Sequence, residues 1–184
     1  MVQLIKKEYE PLVSIVFIFV SLALPINIAY SNLAGARYFS FRWWVVQYEW
    51  TNIEELGVMF VWEVIESDVS GFSGTHNTQV VWGVFAIVFT LLIVYTLYMV
   101  FYGEKNGTLE SFPLQTKYLT PTRVSGYGLI LCGLGFLAVT LGQDLAVKDL
   151  AGNGLVIPVG AVFMAIAGSI LLANSGREAE EQED

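Results

Sequence analysis

The chain of 184 residues is 55% hydrophobic and 14% charged, with a net charge of −8 and a mean hydropathy of +0.59. Soluble domains carry roughly 25% charged residues, so this composition excludes an ordinary soluble domain. The net negative charge repels phosphate, which argues against nucleic acid as a ligand. Because Cys132 is the single cysteine, an intrachain disulfide and a cysteine-based metal site are excluded as well.

Four apolar segments without a charged residue reach the length of a membrane span. They cover residues 12–31, 80–102, 124–142 and 155–173. About 20 helical residues cross the hydrocarbon core of a bilayer, where the backbone must satisfy its own hydrogen bonds. The sequence therefore predicts an all-α membrane protein, a four-transmembrane-helix bundle that forms one domain over residues 1–184. A cleaved signal peptide is the alternative for the first segment, but the apolar run is longer than a usual signal core.

The basic residues are distributed unequally between the two ends of the predicted spans. One end has six of the nine, namely Lys6, Lys7, Lys105, Lys117, Arg123 and Arg177. The positive-inside rule then predicts a multi-pass protein of the cell membrane with both termini in the cytoplasm. The connecting segments become an external loop at 32–79 and a cytoplasmic loop at 103–123. Residues 174–184 form an acidic tail, predicted to be solvated.

Small residues recur along the third and fourth spans at helical spacing. The third has Gly128, Gly135 and Gly142, with Cys132 on the same stripe, and the fourth has Ala161, Ala165 and Ser169. Such rows let membrane helices approach closely, so these two spans are predicted to form a tight antiparallel hairpin. The second span is bulky and aromatic, and Gly83 is its only glycine.

The external loop is rich in aromatic and β-branched residues. The runs 38–50 and 58–65 are joined by the polar link 51–57, which predicts a β-hairpin-like extracellular loop between helices 1 and 2. A bare hairpin is marginal in water, so its aromatic residues must be buried on the membrane, on the helices or on a partner. The predicted partner contacts are Phe41, Trp43, Trp44, Trp50 and Trp62. The alternative is an interfacial belt that only steadies the protein in the bilayer.

The titratable residues do not form a recognisable catalytic or metal-binding set. Glu63 and Glu66 fall three apart on a predicted strand, which places them on opposite faces, and His76 is the single histidine. No span contains paired carboxylates, so a nucleophile–base pair is not available. We therefore expect no enzyme activity, no cofactor and no bound metal.

The layout of four spans, internal termini, a long first external loop of β character and a short second one resembles claudins and related tetraspan proteins. Leu56, Gly57 and the distant Trp62 do not reproduce the Gly-Leu-Trp signature of that family, and its paired cysteines are absent. We expect a structural, assembly or accessory-subunit role, in contact with membrane lipids and with copies of itself or other membrane proteins. A component of an oligomeric channel or transporter is the alternative, although the spans lack the ionisable groups that mark ion pathways.

Overall fold

The computed structural model describes residues 5, 9–33, 35–52, 55–66, 74–102 and 120–181, and its fold is α+β. The helices are α1 (Glu10–Ala23), α2 (Val61–Glu66), α3 (His76–Tyr102), α4 (Pro121–Ala151) and α5 (Val159–Glu181). The strands are β1 (Asn27–Leu33), β2 (Ala36–Arg42), β3 (Val46–Thr51), β4 (Glu55–Phe60) and β5 (Gly154–Ile157). These strands form one antiparallel sheet in the order β4-β3-β2-β1-β5. The prediction of an all-α protein is therefore wrong.

The prediction of a four-transmembrane-helix, tetraspan bundle is wrong too. In the described part of the chain, two helices, α3 and α4, are long and apolar enough to cross a membrane. The apolar parts of α1 and α5 are shorter, at Leu12–Ala23 and Val159–Ser175. The apolar segments at 12–31 and 155–173 each contain a strand as well as a helix, and hydropathy alone does not separate the two.

Proline divides both of these mixed segments. Proline disfavours the α conformation of the residue before it, and Leu24 is extended with ψ of 136°. Pro25 thus follows the end of α1, and the chain continues as β1. In the last segment β5 precedes Pro158, after which α5 begins, as expected for a residue that lacks a backbone donor.

The segment 32–79, predicted to be an external loop, has more strands than the predicted hairpin. The run 38–50 is divided into β2 and β3 by a turn in which Trp43 N donates to Val46 O at 2.7 Å. The run 58–65 ends as a strand at Phe60, and α2 follows. Glu63 Oε2 accepts from Phe60 N at 2.7 Å, which is the side-chain half of a capping box. Glu63 and Glu66 therefore lie on a helix rather than on opposite faces of a strand.

The long helices pack around a common apolar core and meet the sheet at one end. Phe89, Phe136 and Met164 are fully buried in this core. At the sheet end, Trp43 Nε1 donates to the last residue of α1, Ala23 O, at 3.3 Å, and Gly160 N of α5 donates to Pro25 O at 2.9 Å. The sheet is therefore fixed to α1 and α5 through backbone atoms.

The glycines of α4 contact two different helices. A Cβ on Gly133 would lie 2.8 Å from Ala165 N and 2.9 Å from Ala161 O, so α4 and α5 touch backbone to backbone there. Gly128, Gly135 and Gly142, predicted to face the fourth span, instead face side chains of α3, namely Leu92, Phe85 and Thr78. Cys132 is buried among the core residues, and Ser169 Oγ bonds to Ala165 O of its own helix at 2.8 Å.

Two predictions fall largely outside the described residues. They are the cytoplasmic loop at 103–123, of which residues 120–123 are described, and the end of the acidic tail. Four of the six basic residues from which the orientation was predicted also lie outside the described residues. They are Lys6, Lys7, Lys105 and Lys117.

Candidate interaction surface on an inverted sheet

The sheet is polar towards the helices and aromatic on its outer side. Along β2 the buried side chains are Tyr38, Ser40 and Arg42, whereas Phe39 and Phe41 alternate with them and point outwards. A half-buried sheet ordinarily turns its apolar face to the core and its polar face to water. The distribution here is the reverse, so both faces require an explanation.

Aromatic and aliphatic side chains pair across all five strands on the outer side, which we call the aromatic face. The register aligns Leu155, Tyr30, Phe39 and Trp50 in one row and Ile157, Ile28, Phe41, Tyr48 and Val58 in the next. The ring centroid of Phe39 lies 4.8 Å from that of Tyr30 and 5.6 Å from that of Trp50. Such cross-strand contacts stabilise the sheet but leave the outer surface of each ring uncovered.

The aromatic face is substantially exposed. Val58 is 59% exposed, Leu155 57%, Ile157 46% and Tyr30 37%. Five strands about 4.8 Å apart and some 17 Å long present roughly 400 Å² on one side. A contiguous apolar patch of this size is comparable with the largest patch on a typical soluble monomer, and such patches are often functional.

The inner side holds a hydrogen-bonded polar cluster, formed by Tyr38, Arg42, Gln47 and Glu49. Gln47 Oε1 accepts from Arg42 Nε at 2.8 Å and Nη2 at 2.5 Å, and Gln47 Nε2 donates to Glu49 Oε1. Tyr38 Oη donates to the same Glu49 oxygen at 2.6 Å. One glutamine therefore connects a buried cation to a buried anion.

Burial dominates the electrostatics of this cluster. Desolvation raises the pKa of the Tyr38 hydroxyl well above its usual value, and the negative charge of Glu49 raises it further. Desolvation lowers the pKa of the Arg42 guanidinium to about 10, although the charge of Glu49 opposes that change. At neutral pH the arginine is thus charged and the tyrosine is protonated, as the hydrogen bonds require.

Two contacts join the inner side to the long helices. The guanidinium of Arg42 lies over the ring of Trp82 in α3, and Asn27 Nδ2 donates to Thr140 Oγ1 of α4 at 3.1 Å. Buried polar groups of this kind add little net stability, but they penalise other arrangements, in which they would lose their partners. We interpret the polar inner face as the feature that fixes the sheet in one orientation on the helices.

The predicted partner-contact residues fall in different places. Phe41 and Trp50 lie on the aromatic face, and Trp43 stacks on Phe41 at its margin with centroids 6.3 Å apart. Trp44 packs into the core against Phe89 at 6.0 Å. Trp62 lies on α2, where it is 52% exposed and stacks on Phe60 at 4.6 Å. The structure thus brings three of the five together.

Sequence reasoning missed other members of the aromatic face. Tyr30 and Ile28 were assigned to a membrane span, and Leu155 and Ile157 to another. In β3, Tyr48 and Trp50 alternate with the polar Gln47 and Glu49, a period of two that indicates a strand with one apolar side. From this alternation the apolar side of β3 could have been predicted.

A second feature is an apolar groove between α2 and α3. It holds about 490 Å³ and is lined mainly by Val61, Trp62, Ile65, Val84, Ile87 and Thr90. Gly83 forms part of its wall, where a Cβ would lie 2.8 Å from Ile65 Cδ1. The hydroxyl of Thr90 donates to Ala86 O at 2.7 Å, so the one polar side chain among these is already bonded.

Within the described ranges, no group of three or more His, Cys, Asp or Glu side chains is placed to hold a metal ion. Comparison with known families matches residues 3–175 to the model of a family of unknown function, DUF7549. Comparison with curated proteins finds no match.

Proposed function

We propose that this chain, which belongs to the family of unknown function DUF7549, is a non-enzymatic membrane protein that assembles with copies of itself through the aromatic face. The observation that carries the proposal is the inverted sheet. Its polar side is buried on the helices, and its aromatic side is left uncovered although the protein has a core in which rings could be buried. Such an exposed apolar face is suited to contact with a partner surface.

Placement in a bilayer is supported by the outer surfaces of the helices. Exposed apolar side chains continue along α1, α3, α4 and α5, including Leu12, Phe19, Val84, Ile87, Leu91, Val94, Leu131, Leu134, Leu141 and Ile166. A helix that is apolar on its buried and its exposed sides is typical of a membrane environment. We place α3 and α4 across the bilayer and the sheet on its outer side.

A second copy is the partner that the charge distribution favours. The chain carries a net charge of −8, so two copies repel each other over most of their surfaces. Among the side chains described on the aromatic face, Arg37 at one corner is the single charge. An apolar patch with its described charge at one corner suits an interface in which two copies use the same surface.

The proposal is tested by the oligomeric state of the full chain after extraction in a mild detergent. We expect native mass spectrometry to give a defined homo-oligomer. Phe41→Ser combined with Trp50→Ser should weaken the association at least tenfold, since buried aromatic residues dominate interfaces. Tyr127→Ser is the matched control, because it removes a 59% exposed ring near the start of α4, far from the sheet.

Two outcomes decide against self-assembly. If the wild-type chain is monomeric and co-purifies in fixed ratio with another membrane protein that the double variant loses, the aromatic face belongs to an accessory subunit. If the wild-type oligomer persists unchanged in the double variant, the aromatic face is not the interface, and the proposal fails.

The alternative function, a component of an oligomeric channel, gains no support from three hydroxyl groups in the long helices. Thr90, Thr140 and Ser169 each donate to the carbonyl four residues earlier in their own helix, at 2.7, 2.8 and 2.8 Å. Such hydroxyls are satisfied within the helix and do not require a water-filled path.

A further inference from the structure

The polar inner side of the sheet contains three side-chain oxygen atoms that form no hydrogen bond with any described residue. They are Asn27 Oδ1, Ser31 Oγ and Ser40 Oγ. All three residues are fully buried, with an exposed fraction of 0%. A buried polar atom without a partner destabilises a fold, and nearly all such atoms bind either a protein group or ordered water. These oxygen atoms therefore point to a ligand that can form hydrogen bonds.

The register of β1 and β2 places the three oxygen atoms around one small side chain, Ala29. Asn27 and Ser31 lie two residues before and after Ala29 on β1, and Ser40 lies opposite Ala29 on β2. Ser40 is thus a diagonal neighbour of both. Diagonal neighbours in an antiparallel pair are about 7–8 Å apart at Cα and somewhat closer at Cβ. That distance is too long for a direct hydrogen bond between such short side chains.

The same separation suits a bridging water molecule. Two hydrogen bonds of about 2.8 Å that meet at one water oxygen join polar atoms about 5 Å apart. Ser40 Oγ also lies near enough to the Tyr38 hydroxyl to oppose the rise in the pKa of Tyr38, but not in the geometry of a hydrogen bond. Water is thus the ligand that gives each of the three oxygen atoms a partner.

The surroundings are unsuited to an ion or to a larger ligand. The neighbouring polar cluster already contains one cation and one anion, which are connected through Gln47. An additional ion would be buried without a counter-charge. On the side towards β5, Ala29 packs against Val147 and Val156 in a small apolar cluster, which restricts the space beside the three oxygen atoms.

We propose that the inner side of the sheet binds ordered water, with one molecule between Ser31 and Ser40 and another between Ser40 and Asn27. Each molecule then has two polar partners, within the range of about two to four that buried water molecules have. Asn27 also donates to Thr140 Oγ1 of α4, so the second molecule lies where the sheet contacts the long helices. The sheet is thus attached to the helices partly through water. This site depends neither on the aromatic face nor on the membrane placement.

The test is hydroxyl-radical labelling of the full chain by short X-ray pulses, with the modified residues mapped by mass spectrometry. X-rays produce the radicals from water, so bound water inside a protein modifies the buried side chains next to it. Tyr38 lies opposite Ser31 in the register and is 2% exposed. Trp82 is 0% exposed and contacts Arg42, which lies opposite Asn27.

We expect Tyr38 and Trp82 to be modified at rates within about tenfold of the rate at Tyr127, which is 59% exposed. Met164 and Cys132 are the matched controls, because both are also 0% exposed but lie in the apolar core. Their sulfur atoms are readily oxidised, so they should stay unmodified only where water has no access.

Two variants of Ser31 separate the two water molecules and test the site independently of labelling. Ser31→Val fills the position of the first molecule and should reduce the modification of Tyr38 at least fivefold, while Trp82 beside the second molecule is unchanged. Ser31→Ala is the milder variant. It loses a hydrogen bond to water, so its melting temperature should be equal to or below that of the wild type.

Three results overturn the proposal. If Tyr38 and Trp82 are as unreactive as Met164 and Cys132, the inner side of the sheet is dry. If all four residues are modified equally, the radicals enter through opening of the whole core, and bound water is rejected as their source. If Ser31→Ala melts at a higher temperature than the wild type, the substitution has removed an unsatisfied hydroxyl, and no water was bound to it.

Discussion

The guanidinium carbon of Arg42 lies 4.6 Å from the centre of the Trp82 ring, and this contact joins the sheet to α3. Both side chains are fully buried. Trp82 Nε1 also donates to Trp43 O at 3.1 Å, so the ring holds the β2–β3 turn as well. The sheet is thus oriented by a cation, an aromatic ring and a backbone carbonyl, not by apolar packing alone.

Replacement of Arg42 should lower the stability of the fold, because the negatively charged Glu49 stays buried. Arg42→Met leaves Glu49 beneath the sheet without a positive charge, and we expect about 3 kcal/mol of destabilisation. Thermal or denaturant unfolding in detergent micelles, followed by tryptophan fluorescence, measures the loss.

The matching double variant separates charge from packing. Adding Glu49→Gln to Arg42→Met removes the stranded charge and should recover at least half of the lost stability. A double variant as unstable as the single one would show that the arginine acts through its stem and its contact with Trp82, not through its charge.

Stability should depend on Tyr38 in a way that changes with pH. Tyr38→Phe removes a hydrogen bond to a buried carboxylate, at a cost of about 1.5–3 kcal/mol at neutral pH. Because burial raises the pKa of the Tyr38 hydroxyl in the folded protein above its ordinary value of 10.0, the folded protein retains a proton that the unfolded chain releases above pH 10. The contribution of Tyr38 to stability therefore falls as pH rises above 10, and the phenylalanine variant lacks this contribution.

The difference in the free energy of unfolding between wild type and Tyr38→Phe should accordingly shrink by up to about 1.4 kcal/mol per pH unit above pH 10. Unfolding measured between pH 8 and 11 tests this prediction. A difference that stays constant over the whole range would mean that the pKa of Tyr38 is not raised in the folded protein.

The contact between α4 and α5 should tolerate no side chain at Gly133. Gly133→Ala places a Cβ against backbone atoms of Ala161 and Ala165, which cannot rotate away, so the helices must separate. We expect a loss of about 1–3 kcal/mol in unfolding experiments. Gly83→Ala is the control: its Cβ meets the flexible end of Ile65, and the change should stay within about 0.5 kcal/mol.

The amide of Asn174 connects α5 to the start of the chain. Its Oδ1 accepts from Ile5 N at 3.1 Å, and its Nδ2 donates to Ile5 O at 3.1 Å and to Glu10 Oε1 at 2.5 Å. Asn174→Ala should accelerate hydrogen exchange of the Ile5 amide at least tenfold. Ser175→Ala, which removes a bond within the same helix, should not. Equal exchange in both variants would contradict a tether at Asn174.

Local signals in the sequence predicted the positions of α3 and α4 more closely than they predicted the fold class. Thr120 accepts from Arg123 N at 3.3 Å before α4, and Thr75 accepts from Thr78 N at 3.4 Å in the first turn of α3. Both bonds involve neighbours in the chain, and such contacts can be inferred without knowing the fold.

The sheet could not be predicted in the same way. β1 and β5 lie inside continuous apolar runs, because their outer side chains are as hydrophobic as those of a membrane helix and Pro25 alone does not distinguish a kink from an end. Glycine spacing identified close packing along α4, but which helix each glycine faces depends on the arrangement of all the helices. Gly135 faces Phe85 of α3 for that reason.

The pairing of β1 with β5 sets an order for the biogenesis of the protein. Tyr30 pairs with Leu155, which the ribosome adds only after all of α3 and α4. Until then one edge of β1 has no strand beside it, and the polar side of the sheet lacks Thr140, the α4 residue that Asn27 contacts. Strands β1 to β4 are therefore synthesised well before the sheet can be completed, and closure of the sheet is a late step that waits for synthesis of β5 after α4.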